Sequence, residues 1–206
     1  IYNTQTSELT KITTKQGLAG EAISSIYFSS NHNKLIVGFV NGLIQVIDFN
    51  TSNIFSIYDI IDKTTISPDS KRINNFNEFD QHIYISTDYG ISVFNLDSLE
   101  FGDTFFIGIS GAQVRVAETT VLGEYFYAAC KDFEGIKRSL ISSNLIDFNN
   151  WSEVFSGSFH AILSVENSIY FSDQNKIYNI ANGSISEVFT SNEIIKDIRY
   201  ISESFI

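Results

Sequence analysis

The stretch LIVGFVNGLIQVID, Leu35 to Asp48, reads as two apolar strands folded back on each other around Asn41-Gly42. Asn-Gly between apolar runs is a strong hairpin signal, because both residues accept the backbone angles of a tight turn. The same form returns as IYISTDYGISVFNL from Ile83, FYAACKDFEGIKRSL from Phe126 and IYFSDQNKIYNI from Ile169. Each copy ends its first strand on a small residue (Gly38, Ser86, Ala129, Ser172). Each then turns through polar residues, usually with a glycine (Gly42, Gly90, Gly135), and resumes as a second strand.

Apolar segments flank every hairpin. AISSIYF, INNFNEF, VRVAETTVL and FHAILSV precede the four copies, IIKDIRYI opens a fifth, and NIFSIYDI, FGDTFFI, WSEVF and SISEVF follow the four. The units start near residues 23, 73, 114, 159 and 194, close to the roughly 40 to 50 residues of a four-stranded propeller blade. A β-sandwich is the alternative, but it would not restore one strand–turn–strand signature at the same slot. The reading is all-β: a single segment, residues 1–206, of a partial β-propeller of four-stranded antiparallel blades. It has about four full blades and half-blades at both ends. IYNTQTSELTKIT matches strands three and four of a preceding blade, and IIKDIRYISESFI supplies strand one and the start of strand two of a following one. Both ends are therefore expected to be cut from a longer chain.

Composition agrees and narrows the function. The 43% hydrophobic content supplies a core, and abundant Ile, Phe and Tyr suit a pleated, half-buried surface. A net charge of −11 would repel a nucleic-acid backbone and argues against a grip on phosphate-bearing glycan. No apolar run approaches the roughly 20 residues of a membrane-spanning helix.

Catalytic and metal motifs are absent from the sequence, so no catalytic, cofactor-binding or metal-ligating residue is assigned and no cofactor is expected. His32, His82 and His160 fall in loop or strand-edge slots that nothing brings together. Ser110 in GISGAQ has no helix after it and reads as a turn between blades. Cys130, the single cysteine, lies in an apolar run and reads as an inert buried thiol. Asn50, Asn150 and Asn182 begin Asn-X-Ser triplets that read as turn chemistry, and Trp151 reads as a packing anchor with its indole N–H bonded at the rim. The most irregular segment is DIIDKTTISPDSKR, Asp59 to Arg72, with the only proline. It joins strand four of one blade to strand one of the next, on the face that also carries the turns between strands two and three. Ile66, Lys71 and Arg72 are the candidate partner contacts in it.

SELTKITTKQGLAGEAISSIYF followed by KLIVGFVNGLIQVID resembles the N-terminal propeller of PorZ proteins. INNFNEFDQHIYISTDYGISVFNLDSLEFGDTFFIG and NLIDFNNWSEV look like later blades of the same family. The repeat is also similar to the propellers of two-component regulators, but Leu35 to Phe39 lacks their tryptophan. The PorZ resemblance implies a non-enzymatic component of the type IX secretion system of Bacteroidetes. It would sit at the cell surface, associated with the outer membrane, among the protein partners of a sortase complex. The full-length protein would associate with lipopolysaccharide. The regulator resemblance implies a periplasmic ligand sensor instead, and an unrecognised hydrolase is the third reading.

Overall fold

Along β2 (Lys34–Phe39) successive side chains point to opposite sides, and both sides are apolar: Ile36 enters one core and Val37 another. A strand apolar on both faces must be covered twice, and the blade stack does this. The computed structural model of the chain describes residues 7, 9–181, 183–201 and 204–205. Its first sheet is β1 (Ile23–Ser29), β2, β3 (Ile44–Asp48) and β4 (Asn53–Ile57), antiparallel and in sequence order. The second is β5 (Ile73–Phe79), β6 (His82–Thr87), β7 (Ile91–Asn95) and β8 (Glu100–Phe105). The third is β9 (Val116–Leu122), β10 (Tyr125–Cys130), β11 (Ile136–Leu140) and β12 (Ser152–Phe155). The fourth is β13 (Ala161–Val165), β14 (Ser168–Ser172), β15 (Lys176–Ala181) and β16 (Ser184–Thr190).

These are propeller blades. Their first strands are the inner ones: β1 lies beside β5, β5 beside β9 and β9 beside β13. Between blades one and two lies a core of Ile36, Val46, Phe76 and Ile85; Phe105, Val116 and Phe126 fill the next interface, and Phe159, Ile169 and Phe171 the third. The outer side of the first blade, Val37, Phe39, Leu43 and Ile47, is covered by Ile12, Leu18 and Ala19 of the preceding segment. Gly38 stands near the end of β2 where β5, the next inner strand, passes. A Cβ on Gly38 would stand 2.6 Å from Ile73 Cγ2.

Two expectations about the ends need adjustment. The unit expected to start near 194 forms no strand until β17 (Tyr200–Ile201), paired with β18 (Ser204–Phe205). Residues 191–199 instead run irregularly beside the fourth blade, held by Ser191 N–H to Asn175 O and Ile195 N–H to Gln174 O, with Ile198 buried. Much of IYNTQTSELTKIT lies outside the described residues; within the rest, Leu9 makes an isolated bridge and Thr13 caps the 3-10 turn that follows, Thr14–Gln16. Asn182 is also outside the described residues, whereas Asn50 and Asn150 hydrogen-bond within turns.

The segment from Asp59 to Arg72 is docked. A one-turn helix, α1 (Asp59–Asp62), sends Ile60 into the core between blades one and two, and Ile66 follows it there. Lys71 covers the first hairpin turn: Gly42 has φ +91°, and a side chain on it would meet Ile60 at 2.7 Å and the Lys71 carbonyl at 3.0 Å. Among the described residues no helix is long and apolar enough to cross a membrane.

Candidate functional site at the basic mouth of the axial cavity

In the first three blades the inner strand carries one extra residue near its start. Ser24 is inserted between the pairs Ile23–Phe39 and Ser25–Gly38, and Asn74 between Ile73–Thr87 and Asn75–Ser86. Ala117 is inserted between Val116–Cys130 and Glu118–Ala129. A bulge re-aims the extra side chain. All three line a cavity of about 640 Å3 at the end of the stack where the inner strands begin.

One backbone bond repeats beside each bulge: Val40 N–H to Ala22 O, Asp88 N–H to Arg72 O and Lys131 N–H to Arg115 O, at 3.0, 3.2 and 2.9 Å. The turns between second and third strands thus share one end with the starts of the inner strands, as expected for the Asn41-Gly42 and Gly90 turns. This end is basic. Arg72, Lys131, Lys196 and Arg199 line the cavity with His160, against Asp197. Arg199 Nη1 is bound to Glu118 Oε1 at 2.9 Å and to Asp197 Oδ1 at 3.0 Å. Lys131 Nζ donates to Asn74 Oδ1 at 3.3 Å. Burial holds the Lys131 ammonium below its ordinary range, and Arg115 and Arg72 push the same way while Asp88 opposes them. Burial and Lys131 also lower the His160 imidazole.

Deeper along the axis Glu118 joins four elements. It accepts from Asn75 Nδ2 on β5 at 2.8 Å, from the Ile162 N–H of β13 at 3.0 Å, and from Arg199. Burial pushes its carboxyl up to about 7 despite Arg199 and the Ile162 N–H, which pull it down. Tyr27 and Glu78 link β1 to β5 in the same manner at 3.1 Å, and Thr120 and Ser164 link β9 to β13.

The opposite end is acidic: Asp48, Glu78, Asp80 and Asp97 line a hollow with His32 and Lys34. Ser29 Oγ lies 2.9 Å from His32 Nδ1 and donates to Glu78 Oε1 at 3.0 Å, while His32 Nε2 lies 3.5 Å from Asp97. The Ser29 side chain is fully buried, so its hydroxyl is closed to a substrate, whereas Asp97 is exposed at the hollow. Among the described residues no group of three or more His, Cys, Asp or Glu is arranged to hold a metal ion. The three histidines stand apart: His32 lies at the acidic end, His82 bonds to the Asp80 carbonyl, and His160 lines the basic mouth.

Of the three residues expected to contact a partner, one faces the mouth. Arg72 lines it; Ile66, 2% exposed, is core, and Lys71, 6% exposed, donates through Nζ to the Ile61 carbonyl. Burial leaves Ile66 and Lys71 no surface to offer. Sequence reading missed Phe133. It is 84% exposed in the turn between β10 and β11, two residues from Lys131, and both Asp132 and Phe133 have positive φ, 56° and 64°. A bulky residue held there is a backbone outlier of the kind that gathers at binding loops.

The profile of the family described as TSS9, PorZ, N-terminal beta-propeller domain matches residues 1–152. The structure of PorZ, an essential bacterial surface component of the type IX secretion system of Porphyromonas gingivalis, aligns over 91% of this chain with a TM-score of 0.71 and 17% identity. An extracellular domain from B. thetaiotaomicron, described as that of a hybrid two component system, aligns over 92% with a TM-score of 0.67 and 13% identity. The chain spans 24% and 27% of those two proteins' lengths. The computationally designed Ika4 protein aligns over 85% of this chain and 95% of its own, with a TM-score of 0.57 and 13% identity. A search of curated proteins finds no match.

Proposed function

The chain belongs to the PorZ N-terminal β-propeller family of the type IX secretion system, and from that premise we propose that it is a non-enzymatic, partner-binding propeller of the secretion and attachment machinery at the cell surface. The family match carries the reading; the geometry supplies a face for it. The mouth end presents Arg72 in the cavity lining and the exposed Phe133 in the turn that carries Lys131, and aromatic and arginine side chains are the residue types that anchor interfaces. The partner is a protein of the surface sortase complex. Lipopolysaccharide would be met by the larger protein rather than gripped by this segment, whose net charge is −11.

The test replaces Phe133 with Ser and Arg72 with Gln in cells and measures recovery of the sortase with the propeller-bearing protein. Recovery should fall severalfold while the purified chain melts as the parent does. Unchanged recovery, together with intact cargo attachment after deletion of the whole propeller, would defeat the reading. The second reading, a periplasmic sensor, is favoured by the open cavity on the axis and by the likeness to the B. thetaiotaomicron domain. A gene that continues into a membrane helix and a kinase would select it; one that continues into a C-terminal sorting β-domain would select the first.

A further inference from the structure

We propose that the basic mouth binds a small, multiply charged oxyanion of the phosphate or carboxylate class. Several cations are matched by carboxylates: Arg115 with Asp88 and Asp132, Lys137 with Glu134, Lys176 with Glu187, and, within the mouth itself, Arg199 with Glu118 and Asp197. The other three cations of the mouth are not. Arg72 and Lys196 form no side-chain hydrogen bond or ion pair among the described residues, and the neutral Asn74 is the hydrogen-bond partner of Lys131. Three cations therefore converge on one cavity from three parts of the chain: the connection before β5, the turn after β10, and the segment after β16. Asp88 and Asp197 stand close by but are already paired, with Arg115 and Arg199, so in a chain with 24 acidic and 13 basic residues these three cations face one another in a recess with no ion pair of their own. A bound oxyanion would relieve that repulsion and accept charge-assisted hydrogen bonds from all three.

The neutral lining fits the same ligand. The bulge turns Ser24 into the recess beside Ser25; the Ser24 hydroxyl donates to the Gly38 carbonyl at 3.2 Å, which leaves the Ser25 hydroxyl as a donor in the same lining as the cations. A volume of about 640 Å3 suits a small molecule rather than a bare ion. Partial burial also raises the strength of each ionic contact above its value in open water.

Calorimetric titration of the chain with phosphate and with citrate should show saturable binding. Each anion should raise the melting temperature above that in sodium chloride of equal ionic strength, which separates a site from general screening. The double variant Arg72→Gln, Lys131→Gln should weaken binding by about tenfold or more. In chloride, Lys131→Gln alone should melt at or above the parent temperature, since it removes a repulsion; a purely structural lysine would lower it. Lys176→Gln, away from the mouth, should leave binding unchanged. No saturable binding of either anion, equal binding by the double variant, or binding to phosphatidic acid vesicles without binding to either soluble anion would overturn the proposal.

Discussion

Glu118 shows how much one residue can hold when its partners come from distant parts of the sequence. Its carboxyl, raised to about 7 from an ordinary 4.5, is protonated more readily in the folded chain than in the unfolded one. The stability this confers is complete below pH 4.5 and is lost as the pH rises through about 7, a difference of up to about 3 kcal/mol. Denaturant unfolding at pH 5 and pH 8 should therefore show the parent losing stability across that window, and Glu118→Gln should lose markedly less. Close packing at Gly38 makes a second prediction: Gly38→Val should cost at least about 2–3 kcal/mol, read as a lower melting temperature, because Ile73 and Phe76 occupy the space a side chain needs. Single residues whose fate follows from their own neighbours were legible beforehand. Trp151 donates to the Leu145 carbonyl at 3.0 Å, and Cys130 is buried, with its thiol pushed up to about 12. Glu118 was not legible. Its role depends on Asn75, Ile162 and Arg199, and no local pattern marks a polar residue for a shared axis.

Between Asp59 and Arg72 the sequence announces an irregular connection but conceals its docking. Ile60, Ile61 and Ile66 stand among charged and hydroxylated residues, with neither the period of a helix nor that of a strand, so nothing local tells which will be covered. The structure inserts Ile60 and Ile66 between two blades and straps Lys71 to Ile61. Ile66→Ala should accordingly lower stability by about 2–5 kcal/mol. Arg72→Gln, at the same connection, should leave the melting temperature near that of the parent. The hairpins were legible for the opposite reason: turn glycines and apolar runs specify them within a dozen residues. The bulges were not, since one extra residue in an inner strand is visible only against its partner. Without them Ser24 and Asn74 would fall into the ladder, and two walls of the mouth would be missing.

At the scale of the whole chain, alternation and repeat spacing were enough to specify a propeller. They could not reveal its polarity, a basic mouth at one end of the axis and an acidic hollow at the other, because each is assembled from turns of different blades. Among the described residues each four-stranded ladder closes within its own blade, Ile23 to Ile57, Ile73 to Phe105, Val116 to Phe155 and Ala161 to Thr190, and neighbouring blades meet through side chains and a few bonds such as Asn74 Nδ2 to Val116 O. The energy is thus held in nearest-neighbour units, and amide exchange should resolve into blocks that follow the blades, the central strands β2, β6, β10 and β14 slowest within each. One midpoint for every amide would show instead that the interfaces bind the blades into one unit. If the blocks are real, the chain is also a graded spring. Drawn out by its ends, it would lengthen in successive steps, each the release of one sheet, and so could take up a pull without losing the whole fold at once.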